Sequence, residues 1–276
     1  MPGLFGPPID IADLPPGNRL YLLACEPSSD PTMVWGTDVE FDPLREEAAR
    51  RNREGTFLLT PVHFMVKAVE RALAEHPEVN RRILDGRIRD YEGRHVTLST
   101  QGRDGRASIV RLENVHEMGV EEIGREIWAR LLAERREAPT FADRMLTRRR
   151  YPVLNLLGPR LSGAVFRRGM QWTERRSGSN SRSAQGPGSA VLLNYLGGRG
   201  MPPMRSFVPS RLAIGHLMTN VTVGAPERRA VAPESGVEAR TMMPVHVRGD
   251  HRLVDGIQLG RFTGTLRDYL EHPERL

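Results

Sequence analysis

The segment Pro244-Val-His-Val-Arg-Gly-Asp-His251-Arg-Leu-Val-Asp255-Gly256 constrains this chain more than any other. The alternation from Pro244 to Arg248 predicts a strand, because successive strand side chains point to opposite faces. A glycine follows, then His251 and Asp255 four residues apart, with Gly256 directly after the aspartate. Apolar Ile257, Leu259, Phe262, Leu266 and Leu270 then recur at helical spacing until Pro273 stops the pattern. A strand thus delivers an imidazole to a turn that a helix anchors on the far side, which is how one base is held rigidly at a sheet edge. Gly256 suits a position of positive φ or close packing after that turn. Alone, a His-x-x-x-Asp pair also suits a metal-ligand pair or a surface ion pair. No third His, Cys or Glu within a few residues of His251 completes a metal set, so no metal is expected.

The rest of the chain reads as one α/β unit. Residues 1–18 are proline-rich and predict an extended arm. Residues 19–24 and 32–41 read as strands. Asp42-Pro43 and Thr60-Pro61 each open a helix with proline in the first turn, where its missing N–H costs nothing. The first helix ends near Gly55; the second buries Val62, Met65, Val66, Val69 and Leu73 and ends at Pro77. Strands at 95–100 and 107–112 flank the turn around Asp104-Gly105 and predict a hairpin. A helix from 119 to about 137 carries Ile123, Ile127, Trp128 and Leu131, all expected in the core. A broken helical pattern occupies 152–172. Residues 173–190, rich in Ser, Arg and Gly, predict a flexible loop; it lacks the Gly-Lys-Ser/Thr ending of a phosphate-binding loop.

Composition removes several function classes. Of the chain, 39% is hydrophobic and 27% charged, as in ordinary globular proteins. Cys25 is the single cysteine, which excludes a disulfide framework, suits a reducing cytoplasm and reads as a small buried hydrophobe. No apolar run reaches membrane-spanning length, and the N-terminus has neither the basic start nor the apolar core of an export signal. The net charge of +6 is carried by arginine, with Lys67 the only lysine. Arginine forks onto phosphates, but it is spread along the chain without a nucleic-acid module, so no nucleic-acid partner is expected. The densest run, Arg144 to Arg150, reads as a solvated helix end.

Taken together, Gly249-Asp-His251-Arg-Leu-Val-Asp255-Gly256 resembles the signature of the CoA-dependent acyltransferases related to chloramphenicol acetyltransferase. More narrowly, it is similar to the catalytic core of the dihydrolipoamide acyltransferases of 2-oxo-acid dehydrogenase complexes. Residues 60–80 resemble that family's Val-Lys-Ala…Ala-Leu…Pro-x-x-Asn helix, through Val66-Lys67-Ala68, Ala72-Leu73, Pro77 and Asn80. Val191-Leu-Leu-Asn194-Tyr-Leu-Gly197 resembles its Thr-Ile-Ser-Asn-Leu-Gly segment, and Pro273-Glu-Arg-Leu276 its ending. The likeness runs from about residue 32 to the C-terminus, with residues 139–188 unmatched. No lipoyl-bearing or subunit-binding module is expected ahead of it.

The resemblance implies a chloramphenicol-acetyltransferase-like two-layer sandwich, a mixed β-sheet flanked by helices, with 19–276 as one catalytic domain. It implies a homotrimer with active sites between subunits, where His251 of one chain faces Asn194 of its neighbour, and coenzyme A as acyl-carrying co-substrate. His251 would be the general base that takes a thiol's proton as sulfur attacks a thioester carbonyl. Asn194 stands where the family's serine supplies an oxyanion donor; an amide N–H can donate in the same way. Asp255 would pair with an arginine and stiffen the loop; Arg19 is the candidate, in a segment, Arg19 to Cys25, that departs from the family pattern. The acceptor expected is a thiol of the dihydrolipoamide type. Two other readings stay open: a non-catalytic oligomeric scaffold of a dehydrogenase complex, and a stand-alone small-molecule O- or N-acetyltransferase.

Overall fold

The computed structural model describes residues 31–84, 87–101, 107–134, 189–197, 219–234 and 236–276, with residues 6, 7, 9, 13, 202 and 204–206 as isolated additions. The expected strand at 19–24, Arg19, Cys25, the Arg144–Arg150 run and the pattern at 152–172 lie outside the described residues.

Among the described residues the order is β1 (Thr32–Glu40), α1 (Asp42–Glu54), α2 (Pro61–Glu75), β2 (Arg81–Leu84), β3 (Arg87–Asp90), β4 (Val96–Gln101), β5 (Ala107–Leu112), α3 (Val120–Glu134), β6 (Val191–Tyr195), β7 (Thr219–Val223), β8 (Glu227–Val231), β9 (Glu238–Asp250) and α4 (Gly256–Glu271). The main sheet runs β1-β9-β7-β6-β4-β5, with β8 also on β9. It is mixed: β6 is parallel to β4 and β7, and the other pairs are antiparallel. A separate hairpin joins β2 and β3.

One face of the sheet is the core. Val96, Leu98, Val191, Leu193, Val221, Val223, Met243, Val245 and Val247 alternate along their strands and are all buried. Helix α2 lays Phe64, Met65, Ala68, Val69, Ala72 and Leu73 into that core, and α4 adds Leu259, Phe262, Leu266 and Leu270. The two helices pack on each other, and α4 packs on β1. At Gly249 a Cβ would lie 3.0 Å from Leu259, so the missing side chain lets α4 close onto the end of β9. Sheet and helices form the two expected layers.

Trp128 departs from its expected core role. It is 54% exposed, whereas Ile123 and Ile127 are buried. Positions 123, 127 and 131 make one stripe on α3, and residue 128 lies about 100° around the helix from 127, off that stripe. The segment expected as a loop to residue 190 ends in the core instead. Ser189 and Ala190 are buried, and the Ser189 hydroxyl donates to the Val191 carbonyl at 2.8 Å and shares a 2.6 Å hydrogen bond with Thr97; residues 173–188 lie outside the described residues. The N-terminal arm is tied down at two described points, where Gly6 and Ile9 donate backbone N–H groups to Asp90 and Ile88 of β3.

The lone lysine is structural. Lys67 on α2 pairs with Glu70 at 2.8 Å and donates to the Val115 carbonyl, while Arg94 donates to Glu70 at 2.6 Å. Burial alone would push Glu70 up, but hydrogen bonds from Lys67 and Arg94 outweigh it and hold the carboxyl below its ordinary range.

Candidate active site

His251 sits in the turn directly after β9, half-buried, as its sequence context requires. Its backbone N–H donates to the Pro31 carbonyl at 2.8 Å, which ties the turn to the start of β1. The buried Asp250 carboxylate accepts from the Arg252 backbone N–H at 2.9 Å and from its guanidinium at 3.0 and 2.6 Å. The Asp250 carbonyl accepts from Leu253 and Val254. His251 is therefore flanked by a residue whose side chain and backbone both close the turn.

Asp255 completes the frame as the N-cap of α4. Its Oδ1 accepts from Gln258 N–H at 2.7 Å, and the Gln258 side chain accepts from Asp255 N–H at 2.9 Å. This reciprocal pair satisfies two of the free donors at a helix start. Among the described residues no arginine pairs with Asp255; it is Asp250 that binds one, Arg252. Gly256 opens the helix, where a Cβ would meet Trp35 at an ordinary 3.4 Å. Two aspartates thus hold the loop, Asp255 by capping α4 rather than by the arginine pair that the resemblance implied, and Asp250 through Arg252. Asp250 was visible inside the motif as the residue before His251, but its role depends on a backbone turn.

Asn194 lies near the end of β6 and is half-buried, and its amide makes no hydrogen bond among the described residues. In register it stands beside Ser99 of β4 and Thr222 of β7, and Thr222 stands beside His246 of β9. This row faces away from the helices, because Leu193, Val221, Val223, Val245 and Val247 between its members point into the core. Thr222 and His246 were not singled out by sequence reasoning; only strand pairing across distant segments brings them to Asn194. His246 fits because Gly36 opposite has no side chain, a Cβ there lying 3.0 Å from the ring. Burial and Arg205 push its imidazole below the ordinary range, against a smaller upward pull from Asp38. Burial also pushes the Tyr195 phenol up.

Within one chain the structure does not bring His251 and Asn194 together. His246 is in register with Asn194 across two strand spacings, about 10 Å, and His251 lies five residues further on, just past the end of β9, about 16 Å. Their backbones are thus roughly 19 Å apart. Among the described residues no group of three or more His, Cys, Asp or Glu side chains could hold a metal ion, and no helix is long and apolar enough to cross a membrane.

Residues 218–276 match the family described as 2-oxoacid dehydrogenases acyltransferase (catalytic domain). Over 96% of its length the chain is 22% identical to the dihydrolipoyllysine-residue acetyltransferase component of the mitochondrial pyruvate dehydrogenase complex of Schizosaccharomyces pombe. The chain spans about half, 47%, of that relative. Among solved structures, the dihydrolipoamide acetyltransferase of Azotobacter vinelandii superposes with a TM-score of 0.63 at 16% identity, covering 90% of this chain and 84% of that one. In that enzyme a serine, a histidine and an asparagine four residues after the histidine have a role in the catalytic mechanism. The cubic core of a pyruvate dehydrogenase multienzyme complex superposes with a TM-score of 0.60 at 16% identity over 98% and 97% of the two chains. A chloramphenicol acetyltransferase gives 0.60 at 18% identity over 95% and 98%. The fold is therefore of the chloramphenicol-acetyltransferase type, and residues 218–276 resemble part of the 2-oxoacid dehydrogenase acyltransferase catalytic domain.

Proposed function

We propose, from the premise that this fold carries a 2-oxoacid dehydrogenase acyltransferase-like domain at residues 218–276, that the protein moves an acyl group between coenzyme A and a thiol of the dihydrolipoamide type. The observation that carries the reading is the turn around His251, pinned by Pro31, Asp250 and the Asp255 cap, which holds one imidazole still at the sheet edge.

The chemistry follows from that placement. Neutral His251 accepts the proton of the attacking thiol as its sulfur bonds to the thioester carbonyl carbon. The carbonyl electron pair moves to oxygen, where the Asn194 amide donates a hydrogen bond. The intermediate collapses with cleavage of the original carbon–sulfur bond, and the departing thiolate recovers the proton from the His251 imidazolium. Coenzyme A enters as co-substrate, and no metal takes part.

The separation of His251 and Asn194 supports a homotrimer, or a multiple of three, in which each site takes His251 from one chain and Asn194 from the next. The likeness to the cubic core of a pyruvate dehydrogenase complex favours the same assembly. The test is complementation. His251→Ala and Asn194→Ala are each purified, then made together in one cell, and CoA release from acetyl-CoA plus dihydrolipoamide is measured. Random mixing in a cyclic assembly restores about a quarter of the sites. Two inactive variants that recover nothing on mixing, from an active wild type, would refute the shared site; an inactive wild type that binds no CoA would favour the scaffold.

A further inference from the structure

On the sheet face opposite the core, β7 and β9 carry a polar patch that is closed to solvent. Asn220, Thr222, His246 and Arg248 are only 2%, 3%, 5% and 5% exposed. They occupy one face because Val221, Val223, Val245 and Val247, which alternate with them, point into the core. Asn220 lies directly across from Arg248 on one side and Leu192 on the other. The Thr222 hydroxyl donates to Asn220 Oδ1 at 2.6 Å, which fixes the amide with its oxygen occupied. Its Nδ2 is then buried with no hydrogen-bond partner among the described residues. A buried amide donor without an acceptor is costly, and an aliphatic side chain would fill the same place without that cost. Such a group is explained when a ligand brings the acceptor.

We infer that Asn220, oriented by Thr222, binds an amide carbonyl of the molecule that enters the site beside Asn194. The inference rests on the acyl-transfer reading for the identity of that molecule. Asn220 is two residues from Thr222, the partner of Asn194, so the two asparagines are about 8 Å apart on neighbouring strands. A substrate with its reacting carbon at Asn194 and an amide a few bonds away spans that gap. Both substrates qualify: the pantetheine arm of coenzyme A carries amides, and so does dihydrolipoamide. Near pH 7 the flanking imidazole of His246 is neutral, since burial and Arg205 disfavour its charge, which suits a neutral polar ligand.

The experiment is calorimetric titration of CoA and, separately, of dihydrolipoamide into the wild type and Asn220→Leu, with Asn220→Ala as a second variant in case the larger side chain prevents folding. The expected result is about a tenfold weaker Kd for one ligand and an unchanged Kd for the other. Which ligand weakens identifies the source of the carbonyl. Unchanged affinity for both would overturn the inference, leaving the amide to a buried water, and so would a wild type that binds neither. Equal weakening of both marks a distorted sheet and also overturns it. A selective loss of affinity in a protein with no transferase activity would sustain the binding site while refuting the reaction.

Discussion

Two of the buried histidines, His63 and His95, should make the fold acid-sensitive well above the pH at which its carboxylates titrate. His63, on α2, accepts the Thr60 backbone N–H through Nδ1 at 3.2 Å, and burial pushes it down to about 4. His95 accepts the Asn114 backbone N–H at 3.0 Å; burial, then the nearby Arg111 and His116, push it to about 4 as well. Asn114 needs that hold, because it is in the left-handed region at φ 51°. Each imidazole must stay neutral in the folded chain to accept its N–H, whereas the unfolded chain takes up the proton near pH 6.5. The folded pKa therefore lies below the unfolded one. The associated stability is fully present above about 6.5, falls as pH drops from there towards about 4, and changes no further below that. A shift of about 2.5 units corresponds to roughly 3 kcal/mol per histidine, and the slope reaches about 1.4 kcal/mol per pH unit for each. Between pH 6.5 and 5 the two together should remove about 3–4 kcal/mol, a large part of a typical 5–15 kcal/mol. Glu47 and Glu70, both held below the ordinary carboxylate range, lose their contribution only below about 4.5, outside this window. Urea unfolding midpoints from pH 8 to 5 measure the effect, against the double variant His63→Asn, His95→Asn, whose amide oxygens can accept the same N–H groups but do not titrate. A wild type flat between pH 6.5 and 5, or a double variant with the same slope, would refute the reasoning.

Three further outcomes are expected. His251→Ala should lower acyl transfer by roughly 10²-fold or more with CoA affinity nearly intact, because a base acts in the transition state, and Asn194→Ala should cost on the order of 10²–10³-fold if its amide serves the oxyanion; steady-state kinetics and CoA titration check both. Asp255→Ala removes a helix cap, so thermal unfolding should show a loss of about 1 kcal/mol together with a slower reaction, whereas Asp255→Asn should recover most of the stability. Replacing residues 173–188 by a short Gly-Ser link, with Ser189 and Ala190 kept for their core contacts, should change stability by no more than about 1 kcal/mol, the size of a loop-closure difference, and a collapse in soluble yield would show that the segment packs.

The residues around His251 declared themselves in the sequence because every determinant there is local. Alternation to Arg248, the glycine, the His and Asp four apart and the apolar repeat of α4 are short-range signals, and they placed the strand, the turn and the helix correctly. The openings of α1 and α2 were legible for the same reason, each having proline in its first turn. Trp128 was misplaced because apolar character alone does not say which side of a helix meets the core; that is set by the packing of α3 on α2 and β5. Apart from the β4-β5 hairpin, the order β1-β9-β7-β6-β4-β5 pairs strands that are not fixed by any turn signal between them, so no local pattern could show that Asn194, Thr222 and His246 form one row, or that Asn220 is buried with an unpartnered donor beside it among the described residues. Tertiary structure also separates His251 from Asn194 by the length of the sheet, because β9 runs antiparallel to β7 and carries its turn to the end opposite Asn194. The sequence singled out His251 and Asn194 as candidates for the chemistry; strand pairing decided that one chain holds them apart.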